Sequence, residues 1–163
     1  MYRFCTNDFV DPLKRRYYAH FYVPFDIKLF ELCLQRFIGT HDFRAFANRV
    51  EHTTKNLASQ GEDHQLDTMR TIYSIQVISE GDGCFRVELH LKSALYRMVR
   101  NIVGTSLDVA AGKFDEEYLS MLLKDAPSRY DNKAKSAPPE GLTLERVFYD
   151  ELFPEQAMAK SET

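Results

Sequence analysis

The chain has 163 residues, 44% of them hydrophobic and 13% aromatic, which is enough to close one core and too apolar for a disordered chain. Its net charge is −3, so a nucleic-acid partner would have to meet local basic patches, because the chain as a whole is not basic. No apolar run approaches the ~20 residues of a membrane span, no signal peptide is visible, and the three cysteines (Cys5, Cys33, Cys84) lack CxxC spacing. These features argue against a disulfide framework and a zinc site, and for an intracellular protein in a reducing compartment with no membrane partner.

In chain order, Met1–Cys5 reads as a short strand, Asn7–Pro12 as a loop, and the aromatic-rich Tyr17–Tyr22 as extended chain. Pro24 precedes a helix predicted from Asp26 to Ile38, with Asp26 as its N-cap and Gly39 as its stop. Its apolar positions Leu29, Phe30, Leu32, Cys33, Leu34 and Phe37 suit a helix lying on a sheet. The polar stretch from Val50 to Leu66 is expected to be a long loop. Thr68–Ser79 is a β-rich run, Glu80-Gly81-Asp82-Gly83 a hairpin turn, and Phe85–Leu91 an alternating, half-buried antiparallel strand. A helix rich in Leu, Val and Ile follows around Arg100, then a shorter one from Asp115, its cap, to Lys124. Ala126–Glu140 reads as loop, Leu144–Tyr149 as a last strand, and the tail from residue 154 as frayed. This order lacks strict strand–helix alternation. It predicts one α+β domain over residues 1–153, with helices packed on one face of a mostly antiparallel sheet.

The stretch Leu95–Thr105 is the most informative. Leu95, Met98, Val99, Ile102, Val103 and Leu107 recur at helical three- and four-residue steps and form one apolar face. Tyr96, Arg100 and Gly104 make a second row, one turn apart. Gly104 costs the helix about 1 kcal/mol relative to Ala, which points to close packing or close approach along that row. Arg100 then lies beside a packed surface, where a guanidinium needs a carboxylate or a phosphate.

Leu95-Tyr96-Arg97-Met98-Val99-Arg100-Asn101-Ile102-Val103-Gly104-Thr105 resembles the helix motif in the second half of TruA-type tRNA pseudouridine synthases. Tyr2-Arg3-Phe4, Gly39–Phe46 (GTHDFRAF), Thr71-Ile72 and Gly141–Tyr149 (GLTLERVFY) resemble further pieces of that family, in the same order. The resemblance implies a pseudouridine synthase-like half-domain and an isomerase acting on tRNA. The uridine N1–C1′ bond breaks, the uracil turns, and C5 joins C1′, with one catalytic aspartate and neither cofactor nor metal. It also implies that Arg100 pairs with that aspartate, that Tyr2 contacts the target base, and that Leu144 lines the pocket. The target base must leave its stack to be reached.

The family's aspartate belongs to a Gly-Arg-Thr-Asp-type loop, and no such tetrapeptide occurs here. Asp42 sits in the GTHDFRAF piece, and Asp108 is a poor substitute on the face of Arg97 and Asn101. The chain therefore reads as the C-terminal part of a larger enzyme, inactive alone. Its expected partners are the N-terminal half of the same protein, tRNA and a possible second copy. Lys92 with Arg97, and Lys14-Arg15-Arg16, are candidate RNA contacts; a solvated loop accounts for the second cluster equally well. Ala94 stands where the family commonly has an aromatic, and the Val50–Leu66 stretch resembles an insertion. The five histidines form no i, i+4 pair and have no cysteine partner at ligand spacing, so no metal site is expected. The rival reading is a non-catalytic RNA-binding or dimerisation module of the same fold.

Overall fold

The computed structural model describes residues 1–7, 11–50 and 66–148. Among these residues five strands form one mixed sheet: β1 (Tyr2–Cys5), β2 (Ala19–His20), β3 (Gly39–Asp42), β4 (Met69–Gly81) and β5 (Cys84–Leu91), in the order β2-β1-β5-β4-β3. Among the described residues three helices accompany them: α1 (Ile27–Gln35), α2 (Met98–Ala110) and α3 (Glu116–Asp125). The fold is α+β, as expected. Among the described strands only the short β1–β2 pairing is parallel.

Alternation in β5 decides which side of the sheet is covered. Phe85, Val87 and Leu89 join the apolar cluster, while Arg86 and Glu88 form an ion pair at 2.8 Å. In β1, Tyr2 and Phe4 point to the same covered side, and Phe4 stacks on Phe21 and Phe85 and meets Phe30 of α1 edge-on. Burying a ring such as Phe4 contributes about 2–3 kcal/mol, so this aromatic cluster fastens α1 to β1. Asp26 caps α1 by accepting from the amides of Lys28 and Leu29, and Asp115 caps α3 through the amide of Tyr118. Asp82-Gly83 closes the β4–β5 hairpin with both residues at positive φ, as a two-residue hairpin turn demands.

Several expectations are corrected. α1 ends at Gln35; residues 36–38 tighten into i→i+3 bonds, and Gly39 opens a strand where a helix stop was expected. α2 begins at Met98, after Arg97 in a left-handed conformation. The last strand does not form among the described residues. Leu142 makes a single bridge to Tyr2, and Thr143 exchanges two hydrogen bonds with Met1, but Leu144 and the residues to 148 pair with no strand. Cys5 and Cys84 form a disulfide, contrary to the expectation of free thiols: they are opposite residues of the β1–β5 ladder, with Cα atoms 4.1 Å apart. Their separation of 79 residues conceals a proximity that only strand register creates. Cys33 is free and buried, and burial pushes its thiol up to about 11. The Val50–Leu66 loop beyond residue 50, apart from Leu66 itself, and the tail after Phe148 lie outside the described residues. No helix among the described residues is long and apolar enough to cross a membrane.

Candidate active-site arginine and its strap

α2 is buried on more than one side because two structures cover it. Met98 and Ile102 face the sheet-side core, while residues 132–138 run along the other flank as a strap. The strap's backbone approaches the Tyr96–Arg100–Gly104 row very closely. A Cβ at position 104 would lie 1.9 Å from the Lys135 carbonyl oxygen and 2.8 Å from the Ala137 nitrogen, so this row requires glycine. Ala137 donates its N–H to the Arg100 carbonyl at 2.9 Å and accepts from Arg100 Nε at 2.7 Å. Arg100 is thus half-buried and tied to the strap by a two-way clamp.

Buried amides hold the strap in place. Asn132 donates to the Ala45 carbonyl (3.1 Å) and to Thr105 Oγ1 (3.3 Å), and accepts from Ala134 N (3.1 Å). Asn101 donates to the Phe46 carbonyl (2.6 Å) and to Asn48 Oδ1 (2.9 Å), and accepts from the Ser136 hydroxyl. Asp108 accepts from Lys135 N at 3.1 Å and pairs with Lys113 at 2.6 Å, so its carboxylate is occupied. Each bond of this kind contributes about 1 kcal/mol, and a buried amide left without its partners costs more than that.

Tyr2 reaches the same strap from the sheet. Its hydroxyl donates to the Pro138 carbonyl at 2.9 Å, one residue beyond the carbonyl that holds Arg100. Gly141 lies over the ring so closely that a Cβ there would sit 2.8 Å from Tyr2 Cζ. Burial pushes the phenol far above its ordinary range, Glu140 adds to the rise, and the positive charge of Arg100 opposes it. Arg100 and Tyr2 are therefore electrostatic neighbours across adjacent carbonyls of one strap.

The guanidinium of Arg100 keeps chemical capacity. Among the described residues no carboxylate lies within ion-pair distance of it, and only Nε is committed, to a neutral carbonyl. Its two terminal amino groups are the fork that matches a carboxylate bidentately.

The other candidates are dispersed. Tyr2 is 0% exposed, so its ring offers no face to a base in this arrangement. Leu144 is 80% exposed. Arg97 is exposed, with its guanidinium over the Tyr96 ring at 5.4 Å, and Lys92 is exposed on the strand end. Lys14 lies over the Tyr18 ring at 5.7 Å, while Arg15 and Arg16 are exposed in the turn before β2. Sequence reading missed a cavity of about 310 Å³ between residues 44–50 and 128–134, lined by Arg44, Arg49 and Arg129. The only signal was Arg44 inside the GTHDFRAF piece; Arg129 sits in a stretch that reads as plain loop.

A model of the tRNA pseudouridine synthase family matches residues 33–150. The chain belongs to that family. It is 36% identical over 144 residues to tRNA pseudouridine synthase A 1 of Protochlamydia amoebophila, covering 88% of this chain and 52% of the relative. It is 34% identical over 141 residues to tRNA pseudouridine synthase A of Listeria monocytogenes, covering 86% and 51% respectively. With tRNA pseudouridine synthase A of Chlamydia pneumoniae it shares 36% identity over 126 residues, 77% of this chain and 42% of the relative. The chain spans about half the length of the curated relatives it matches. Membership adds a chemical context to Arg100, whose helix lies within the matched segment.

Proposed function

We propose that this chain supplies the arginine side of an active site that isomerises uridine to pseudouridine in tRNA, and that the catalytic aspartate comes from sequence outside these residues. The observation that carries the reading is the Arg100 guanidinium, half-buried, clamped through Nε and without a carboxylate among the described residues. In that role it keeps an incoming aspartate ionised and orients it through two parallel N–H···O bonds. Tyr2 acts on the same centre as a positioning residue: by holding Pro138 it fixes the strap that fixes Arg100. Contact between its ring and a target base requires the segment at 138–141 to lift away. A tRNA substrate places the protein inside the cell.

The test is conversion of uridine to pseudouridine in unmodified tRNA, read by carbodiimide adducts that stop primer extension. The chain alone gives no conversion. Adding a polypeptide that carries the family's Gly-Arg-Thr-Asp-type loop restores it, and Arg100→Ala abolishes that restoration. Turnover by the chain alone contradicts the proposal.

A further inference from the structure

The cavity behind the Arg100 strap has a chemistry of its own. Arg44, Arg49 and Arg129 line it together with Asn48, Tyr130 and Asn132, and among the described residues no Asp or Glu lines it. Arg44 is half-buried, yet its guanidinium makes no hydrogen bond or ion pair among the described residues, and its Nε is shielded from solvent without a partner. Arg129 is held rigidly but only by neutral acceptors: the carbonyls of Asn132 and Ala134 (3.0 Å to the latter) and Asn101 Oδ1 at 3.5 Å. Its Nε is also buried without a partner, and burial weakens its hold on its proton. Two desolvated guanidiniums converging on one cavity without a carboxylate are an unbalanced charge, and a dianionic or monoanionic oxyanion is what such forks match.

The rim extends the same chemistry. Tyr130 is 72% exposed and Tyr96 is 49% exposed. The guanidiniums of Arg49 and Arg97 lie over the Tyr96 ring at 4.8 and 5.4 Å. Both arginines sit at positive φ, 65° and 63°, a backbone conformation that side-chain-bearing residues adopt at a cost and that clusters at ligand clamps. Exposed aromatics interleaved with arginines suit a nucleic-acid strand, whose bases stack while its phosphates pair. In a chain of net charge −3, such a concentration of arginines is local by construction.

We propose that this cavity is a phosphate pocket: Arg44 and Arg129 bind a backbone phosphate of RNA, and the Tyr96–Tyr130 rim takes the adjoining nucleotides. The assignment rests on tRNA being the substrate, and it adds a binding site separate from the Arg100 centre. The guanidiniums of Arg44 and Arg129 accept the phosphate without displacing any ion pair among the described residues, so binding neutralises charge that those residues leave uncompensated.

Anisotropy titrations of an unmodified tRNA transcript with the chain, across a salt series, test it. Arg44→Gln weakens binding about 3- to 10-fold and reduces the slope of log K against log salt by about 0.7–0.9, the value of one phosphate contact. Arg44→Lys, which keeps the charge, retains most of the slope. Lys28→Gln, an equal charge change on α1 away from the cavity, leaves the slope at the wild-type value. As a second readout on unaltered protein, inorganic pyrophosphate shifts the Nε–H resonances of Arg44 and Arg129 saturably. Wild-type tRNA binding with an unchanged Arg44→Gln slope, or no shift with pyrophosphate, overturns the pocket and leaves the Arg100 reading standing. Absence of any tRNA binding by the wild-type chain overturns both.

Discussion

Gly104→Ala is the substitution whose outcome the structure fixes most tightly, because two effects of opposite sign can be weighed. In an isolated helix the change stabilises by about 1 kcal/mol. Here the new methyl would stand 1.9 Å from the Lys135 carbonyl oxygen, a backbone atom that must retreat by about 1 Å or more to reach even a tight contact. Forcing a group into such a site costs roughly 1–3 kcal/mol in strain. Displacing the strap also loosens Ala137 from Arg100, Pro138 from Tyr2 and Lys135 from Asp108, each bond contributing about 1 kcal/mol. The steric and hydrogen-bond losses win, and the net destabilisation is about 2–4 kcal/mol. Urea unfolding followed by circular dichroism measures it, and the accompanying fall in Tm is on the order of 5–15 °C. A neutral or stabilised Gly104→Ala protein would show that the strap does not pack on α2, and the clamp on Arg100 would go with it.

Three further outcomes follow from the same geometry. Tyr2 has a folded pKa raised above its unfolded value by burial, so its contribution to stability is complete below about pH 10 and declines as pH rises above that; absorbance titration should find at least one of the nine tyrosines resisting ionisation until the protein unfolds, and losing that resistance in Tyr2→Phe. Reducing the Cys5–Cys84 bridge releases a loop whose ends lie 79 residues apart and costs about 4 kcal/mol on the chain-entropy model, seen as a lower urea midpoint in reductant; an unchanged midpoint would mean that the β1–β5 ladder holds without it. Asn101→Ala strands the Phe46 carbonyl and the Ser136 hydroxyl and lowers stability by about 2–3 kcal/mol, whereas a loss below about 0.5 kcal/mol would remove the amide from the account of the strap.

Local chemistry was legible wherever a residue's partner is close in sequence. Asp26 and Asp115 announce their helices because a cap bonds only two or three residues ahead. Asp82-Gly83 announces its hairpin for the same reason. Gly104 announced a close approach, though not what approaches. The partner was hidden because residues 132–138 have no periodicity; their conformation is imposed by Asn101, Thr105 and Asp108 on a helix formed about thirty residues earlier. The disulfide was hidden by register, and the cavity arginines by the distance between positions 44 and 129. Leu144 misled because its alternating surroundings look like a strand, while the pairing beside β1 is confined to Leu142 with Tyr2 and Thr143 with Met1.

The most direct measurement is the single-turnover rate of pseudouridine formation in tRNA by a protein that combines this chain with the aspartate-bearing loop, compared with its Arg100→Ala variant. Loss of a charge-assisted pair that orients the catalytic carboxylate predicts a rate about 100- to 1,000-fold lower, with the unfolding midpoint nearly unchanged. A variant that turns over within about threefold of the parent would contradict the role assigned to Arg100.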